Sequence, residues 1–381
     1  TDDLFPEMWY GRFSAQTTAQ LQPQIDKTLE YEMYQMPDPS YLGEVTMVSG
    51  VDGTYASTYG NGQINYGTNY YFNLAHGIDP HVWLYPASDA SGAAAAIIQT
   101  ISDGVGFYNY TAHCSHSGHA DPSFTTSDIP GLTNYSKYLL GIGNCCQSNT
   151  FDESTPCFGE AFLQVEGKGG IGYIGGSNST YWDEDYWWGV GAGDIVGSGP
   201  DYEDMGPGAY DGIFHDHGEA ESAWYIVNGA ILSAGSFAVT EAGSSRETYY
   251  WEIYHLMGDP SVMTYLGVPE ENNVVHDATL LMTATNITVT ADPASYVGIT
   301  FDGELKGAGY VDASGQVTIP LTSFGIPGEA EIVVTAQFKQ PYFDTIQVIT
   351  PSGPYVVYDY ADFGDALGNN NGIIDAGESI S

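Results

Sequence analysis

Positive charge is almost missing from this chain. Seven Lys and Arg stand against 48 Asp and Glu in 381 residues, a formal net charge of −41. A surface of that sign repels nucleic acid and anionic membranes, and leaves little room for binding through a phosphate backbone. Long apolar runs are missing as well: nothing approaches the roughly 18 consecutive apolar residues of a membrane span. No signal peptide is visible, and Thr1-Asp2-Asp3 reads as the opening of a trimmed or mature species. Cysteines number four, Cys114, Cys145, Cys146 and Cys157. Two are adjacent, where a mutual bridge would be strained, so the pattern leaves room for one structural bridge and expects at least one free thiol. What is present is apolar and aromatic. Hydrophobic residues make up 43% of the chain and Tyr alone numbers 30, which supplies real cores and argues against disorder. The length predicts two or three domains, and the composition suits a secreted protein.

Two short, glycine-flanked apolar runs, 104–111 (GVGFYNYT) and 138–143 (YLLGIG), have the pattern of buried parallel strands. The first leads to His113 and the second to Cys145 and Cys146. Chemistry in open parallel sheets collects at the carboxyl ends of strands, so these residues are candidates for a base and a nucleophile. A third strand, 43–50, runs into Asp52, placed to orient a histidine or simply to make a turn. A fourth is expected at 169–176. A helix over 91–102, capped by Ser91 or Asp89, precedes the His113 strand and gives a βαβ rhythm. Pro23 suits a helix start, with Ile25, Leu29 and Met33 on its apolar face. Residues 177–192 are expected as an aromatic, acidic loop, 219–235 as a helix carrying Ala223, Val227, Ala230 and Ala234, and 245–261 as a last helix.

These elements predict one α/β domain over 1–269, a mostly parallel sheet flanked by helices. Beyond it the apolar pattern changes to period two, with Ile287, Val289 and Ala291 on one face, which predicts a β-sandwich over 270–352. The tail, 353–381, places Asn369, Asn371, Asp375 and Glu378 at spacings like those of a calcium loop, although Leu367 occupies the first ligand position. An Asn/Gly-rich linker fits equally. At the other end, Asp3 and Glu7 flank Phe5 and Pro6, a pattern that suits a hard cation or a solvated strand edge.

A cysteine mechanism needs a thiolate, an imidazole and backbone N–H groups facing the developing oxyanion. Gly141 and Gly143 allow close backbone approach ahead of Cys146, while composition leaves open which of Cys145 and Cys146 is the nucleophile. Zinc held by His113, His116 and His119 is the competing chemistry, though no second cluster at zinc-finger spacing occurs.

The order FPEM, YTAH (110–113), GNCC (143–146), PCFGE (156–160), YWDED (181–185) and YYWEIYH (249–255) resembles the lysine-specific branch of the gingipain family, from Phe5 to about residue 350. That resemblance implies a secreted cysteine peptidase with a caspase-like α/β fold followed by an immunoglobulin-like β-sandwich. It implies His113 as general base and acid, Cys146 as nucleophile, Asp52 as the group orienting His113, and amides of Cys114 and Cys146 as the oxyanion hole. Family members usually carry Gly where this chain has Cys114, which puts the approach of the substrate carbonyl in question. Asp185 would receive a substrate lysine between Tyr181 and Trp182, with Thr111 and Asn144 as polar neighbours, while Asp183 and Glu184 are expected to be solvated. Calcium is implied as a structural ion at Asp3, Glu7 and Glu160, with no redox cofactor. Partners are protein or peptide substrates. The family's catalytic region carries a further subdomain ahead of FPEM, so a separate subdomain or self-association is expected along an exposed sheet edge. The rival function is a non-catalytic extracellular surface or filament protein on the same scaffold.

Overall fold

Apolar runs that must be hidden on both faces become the inner strands of a parallel sheet. The computed structural model describes residues 5–214, 227–352, 373 and 376–377. It divides into two compact units, Thr1–Glu271 with Ala336–Pro341, and Asn272–Thr335 with Tyr342–Ser381.

In the first unit the strands are β1 (Glu44–Ser49), β2 (Asp79–Trp83), β3 (Phe107–Thr111), the short β4 (Cys114–Ser115), β5 (Gly118–His119) and β6 (Phe124–Thr125), then β7 (Leu139–Asn144), β8 (Gly170–Gly176) and β9 (Tyr254–Gly258). The main sheet has the order β2-β1-β3-β7-β8-β9. Its first five strands are parallel and β9 is antiparallel. Every residue of β3, β7 and β8 is buried, as expected for central strands covered on both sides.

The covering helices are α1 (Thr18–Glu32), α2 (Asn61–Tyr70), α3 (Ala93–Asp103), α4 (Phe158–Gln164), α5 (Trp182–Val190), α6 (Ala209–Phe214), α7 (Asn228–Glu241) and α8 (Glu247–Ile253). Side chains alternate across a strand, so the two faces of the sheet build two cores. Phe107, Leu140, Ile142 and Ile174 pack with Ile64, Tyr186, Trp188, Tyr210 and Ile231 of α2, α5, α6 and α7. Tyr108, Tyr110, Leu139 and Tyr173 pack instead with Ile97 and Ile101 of α3 and with Phe158 and Phe162 of α4. Glycines in β7 serve this packing. A Cβ on Gly143 would overlap the Tyr173 hydroxyl, and one on Gly141 would lie 2.8 Å from the Tyr173 ring. The close approach expected of these two glycines is therefore to a tyrosine of β8.

Three local expectations are corrected, and a fourth falls partly outside the described residues. Pro23 lies inside α1, not at its start, and Leu29 and Met33 are exposed. The buried face is Gln24, Lys27, Thr28 and Tyr31. Lys27 can face inward because its ammonium donates to the carbonyls of Lys168 and Gly170, each at 2.8 Å. The acidic stretch expected as a loop contains α5, whose first turn carries Asp183, Glu184 and Asp185, where a helix terminus favours negative charge. The stretch expected as one last helix divides into α8 and β9, because Tyr254–Gly258 closes the sheet edge. The helix expected over 219–235 is described only as α7, from Asn228, with 219–226 outside the described residues.

The second unit is all β: β10 (Thr279–Leu281), β11 (Asn286–Thr290), β12 (Tyr296–Phe301), β13 (Glu304–Tyr310), β14 (Gln316–Pro320), β15 (Gly328–Thr335) and β16 (Tyr342–Ile349). A five-stranded sheet, β10-β16-β15-β12-β13, and the β11–β14 pair share one core that includes Val289, Val297, Ile332 and Ile346. Ile287, Val289 and Ala291 are all buried.

Candidate active site

Register places the reactive residues. Ser49 of β1 is level with Thr111 of β3, and Thr111 with Asn144 of β7, so three strands end along one line. Asp52 follows the first of these ends, His113 the second and Cys146 the third. Asp52 is fixed from both sides. Its Oδ1 accepts the amides of Thr54 at 2.7 Å and Tyr55 at 2.8 Å, while Oδ2 lies 2.8 Å from His113 Nε2. Burial pushes its carboxyl upward, but the His113 bond and the two amides outweigh that and hold it below the usual range. The His113 ring meets Trp182 edge-on at 5.6 Å, and Trp182 in turn stacks on Tyr55 at 5.9 Å.

The cysteines sort themselves by bonding. Cys114 and Cys145 form a disulfide, which joins the residue after His113 to the residue before Cys146. Cys146 and Cys157 are free. Cys157 is buried at the start of α4, and burial pushes its thiol up to about 12, which leaves it inert. Cys146 is half-buried, and its Sγ accepts the Thr180 amide at 3.3 Å. Cys146 is thus the one free thiol among the four that solvent reaches.

Behind Cys146 lies a buried carboxylate. Asp185 Oδ2 accepts the Thr180 hydroxyl at 2.6 Å, and Oδ1 accepts from Tyr254 at 2.6 Å and Tyr250 at 3.0 Å. Burial raises the Asp185 carboxyl to about 7, although the three hydroxyls work in the opposite direction. Asn144 donates to the Tyr254 hydroxyl at 3.3 Å and accepts from Gln63 at 2.7 Å and Asn109 at 3.1 Å. Tyr210 donates to Asn109, closing a polar network inside the sheet–helix interface. Thr111 is fully enclosed beside it, and Tyr181 is 42% exposed with the Arg246 guanidinium 3.9 Å above its ring. Sequence reasoning missed Thr180, Tyr250 and Tyr254. Tyr250 and Tyr254, four apart in YYWEIYH, carried the only available signal, a shared direction across a helix end.

Several expectations are not met by this geometry. Glu184, expected in solvent, is 2% exposed and accepts from Arg246 at 3.1 Å and from the Ser244 hydroxyl at 2.5 Å. The zinc trio does not converge: His113 pairs with Asp52, His116 lies 3.3 Å from the Thr155 hydroxyl, and His119 is buried with its ring nitrogen 2.9 Å from the Tyr108 hydroxyl. Burial pushes His119 down to about 3. Glu160 caps α4: one oxygen accepts the Cys157 amide at 2.8 Å, the other the Ser14 hydroxyl at 2.5 Å. Glu7 is exposed. Asp3, Asn369, Asn371, Asp375 and Glu378 lie outside the described residues.

Comparison with known proteins places this geometry. The model for peptidase family C25 matches residues 1–265. Lys-gingipain W83 of Porphyromonas gingivalis is 40% identical over 360 residues, covering 93% of this chain and 20% of the relative. The chain thus spans about a fifth of the length of the Lys-gingipain relatives it matches. A solved structure described as a protease superposes with a TM-score of 0.85 at 38% identity, covering 91% of this chain and 76% of the other. The crystal structure of the Arg-specific cysteine proteinase gingipain R shares the fold, with a TM-score of 0.76 at 21% identity over 92% of this chain and 77% of the other.

Proposed function

The chain belongs to peptidase family C25, and on that premise we propose that it is a secreted cysteine endopeptidase cleaving peptide bonds on the carboxyl side of lysine. The observation that carries this reading is Cys146, an accessible free thiol at the end of β7, level with the strand end from which Asp52-held His113 emerges.

In this mechanism the Cys146 thiolate attacks the scissile carbonyl carbon, and amides of Cys146 and Cys114 stabilise the oxyanion. Asp52 holds His113 through Nε2, which leaves Nδ1 to protonate the leaving amine and then to take a proton from the water that hydrolyses the acyl-enzyme. The Cys114 side chain does not compete for this space as a free thiol, because its sulfur is bonded to buried Cys145.

Lysine specificity follows from Asp185. Its two oxygens are ringed by three single hydroxyls, a compact arrangement suited to a point-charge ammonium more than to the planar fork of arginine. An arriving ammonium favours the carboxylate form, offsetting the burial that raises it. Trp182 and Tyr181 flank the aliphatic stem, and Asn144 and Thr111 supply polar neighbours. The disulfide suits an oxidising, extracellular compartment. The proposal includes a neighbour, either a separate subdomain or a second copy, along edge strand β2, where Val82 is 40% exposed. Calcium is proposed as a structural ion, at Asp3, Glu7 and Glu160 or at Asn369, Asn371, Asp375 and Glu378, and no step depends on it.

Matched fluorogenic peptides ending in Lys, Arg or Leu, assayed under reductant with and without calcium and with Cys146→Ala as control, test the reading. Cleavage after Lys that disappears in the variant is expected. Cleavage after Arg alone would keep the catalytic residues and remove the role of Asp185. No cleavage, with Cys146 inert to iodoacetamide, would favour the non-catalytic scaffold.

A further inference from the structure

A third donor sits against the sulfur bridge. Cys114 Sγ, Cys145 Sγ and a ring nitrogen of His119 all lie within 4.8 Å of one another, the one such group of His, Cys, Asp or Glu side chains among the described residues. β4 and β5 bring this about, because their antiparallel register sets Cys114 directly opposite His119. Two thiolates and an imidazole are the donor set of soft, tetrahedral divalent ions of the zinc class. Metal–sulfur bonds of about 2.3 Å and metal–nitrogen bonds of about 2.0–2.1 Å put tetrahedral donors roughly 3.5–3.8 Å apart. The histidine already faces the bridge within 4.8 Å, so binding requires the two sulfurs to part and the ring to close in on them.

The surroundings are those of a built site. His119 is 1% exposed and its ring stacks on Tyr110 at 4.2 Å with an interplanar angle of 6°. The Tyr108 hydroxyl lies 2.9 Å from Nδ1 and the Tyr173 hydroxyl 3.4 Å from Nε2. An ion would take one of these nitrogens in place of its hydroxyl, and the other hydroxyl would keep the ring oriented, as outer contacts commonly do for metal-binding histidines. Cys145 is buried, while half-exposed Cys114 provides access for a reductant and then for an ion.

We propose that, when the Cys114–Cys145 bridge is reduced, Cys114, Cys145 and His119 bind one soft divalent cation of the zinc class. An external thiol or phosphine supplies two electrons and is oxidised, the S–S bond breaks, and two protons from solvent leave two thiols. The cation then displaces both thiol protons to solvent as two metal–sulfur bonds form. Bridge and metal are alternative closures of one cluster, attached on one side to His113 and on the other to Cys146. The inference stands apart from the peptidase reading, and its test uses a chain without the Cys146 thiol.

The experiment is cobalt titration of the full chain carrying Cys146→Ala, oxidised or reduced with a phosphine and then freed of it without air. Reduced protein is expected to take up one Co²⁺ per chain with a thiolate-to-cobalt charge-transfer band, oxidised protein none. Cys114→Ser and Cys145→Ser should each abolish the band, and His119→Gln should weaken binding at least tenfold. No uptake by reduced protein, uptake without the thiolate band, or equal uptake in the cysteine variants would overturn the proposal. Cys114→Gly, at a half-exposed position, keeps the test decisive if His119→Gln does not fold.

Discussion

Thr180 joins Cys146 to Asp185: its amide donates to Cys146 Sγ at 3.3 Å and its hydroxyl to Asp185 Oδ2 at 2.6 Å. Thr180→Val keeps the first bond and removes the second. A hydrogen bond to a charged group contributes about 1.5–3 kcal/mol, so kcat/KM for a lysine substrate should fall about 10- to 100-fold. The rate at which iodoacetamide alkylates Cys146 should be nearly unchanged. Equal losses in both measurements would mean that Thr180 acts on the thiol and not on the pocket.

In the proposed lysine pocket, Asp185 links specificity to stability. Its carboxyl stands at about 7 in the folded chain, raised by burial, against about 3.9 when unfolded. The folded state keeps a proton that the unfolded state has lost, so this contribution is full below about pH 4 and is lost as pH rises through 7. A gap of about three units corresponds to at most about 4 kcal/mol. Asp185→Asn should abolish cleavage after lysine yet melt higher than the parent at pH 8, and about equally at pH 4. A variant less stable than the parent at pH 8 would show that the hydrogen bonds outweigh desolvation.

Asp52 lies 2.8 Å from His113 Nε2, and in the proposed mechanism it acts through that imidazole. Asp52→Asn leaves the amide contacts of Thr54 and Tyr55 available to the side-chain oxygen but weakens its hold on the imidazole. By analogy with other triads kcat should fall by about 10²–10⁴-fold with KM little changed. Steady-state kinetics decide, and a change confined to KM would place Asp52 in substrate binding.

The Cys114–Cys145 bridge closes a loop with a sequence separation of 31 residues. Chain-entropy arguments assign such a loop about 3–4 kcal/mol. In a Cys146→Ala background, replacing both bridge cysteines by alanine should lower the urea-unfolding free energy by that amount and steepen the slope, because the unfolded chain without its cross-link exposes more surface. Reductant should have the same effect on the parent and none on the variant. Insensitivity of the parent to reductant would contradict the bridge.

The positions of His113, the Cys145–Cys146 pair and Asp52 were legible because each follows a short apolar run, and buried parallel strands announce themselves by continuous hydrophobicity; the choice of Cys146 within the pair came from family resemblance. Asp185 was legible only through family resemblance. The sequence pattern misassigned α5 as loop because Trp182–Val190 mixes aromatic, acidic and glycine residues without a helical stripe, and what holds it is burial against α7 and α2. The apolar positions of α1 misled for the opposite reason. Lys27 turns inward because backbone carbonyls distant in sequence receive its ammonium, so Leu29 and Met33 face solvent.

Sequence alone thus determined the alternation of strand and helix, the period-two β unit, and the acidic surface that repels polyanions, because each depends on local pattern or on summed charge. Tertiary structure decided which of two adjacent cysteines keeps its thiol, what surrounds Asp185, and that Glu184 is buried. Apart from Thr180 beside Asp185, those outcomes depend on partners 31 to 69 residues away in the chain, brought together by sheet register and helix packing. No local spacing encodes such distances.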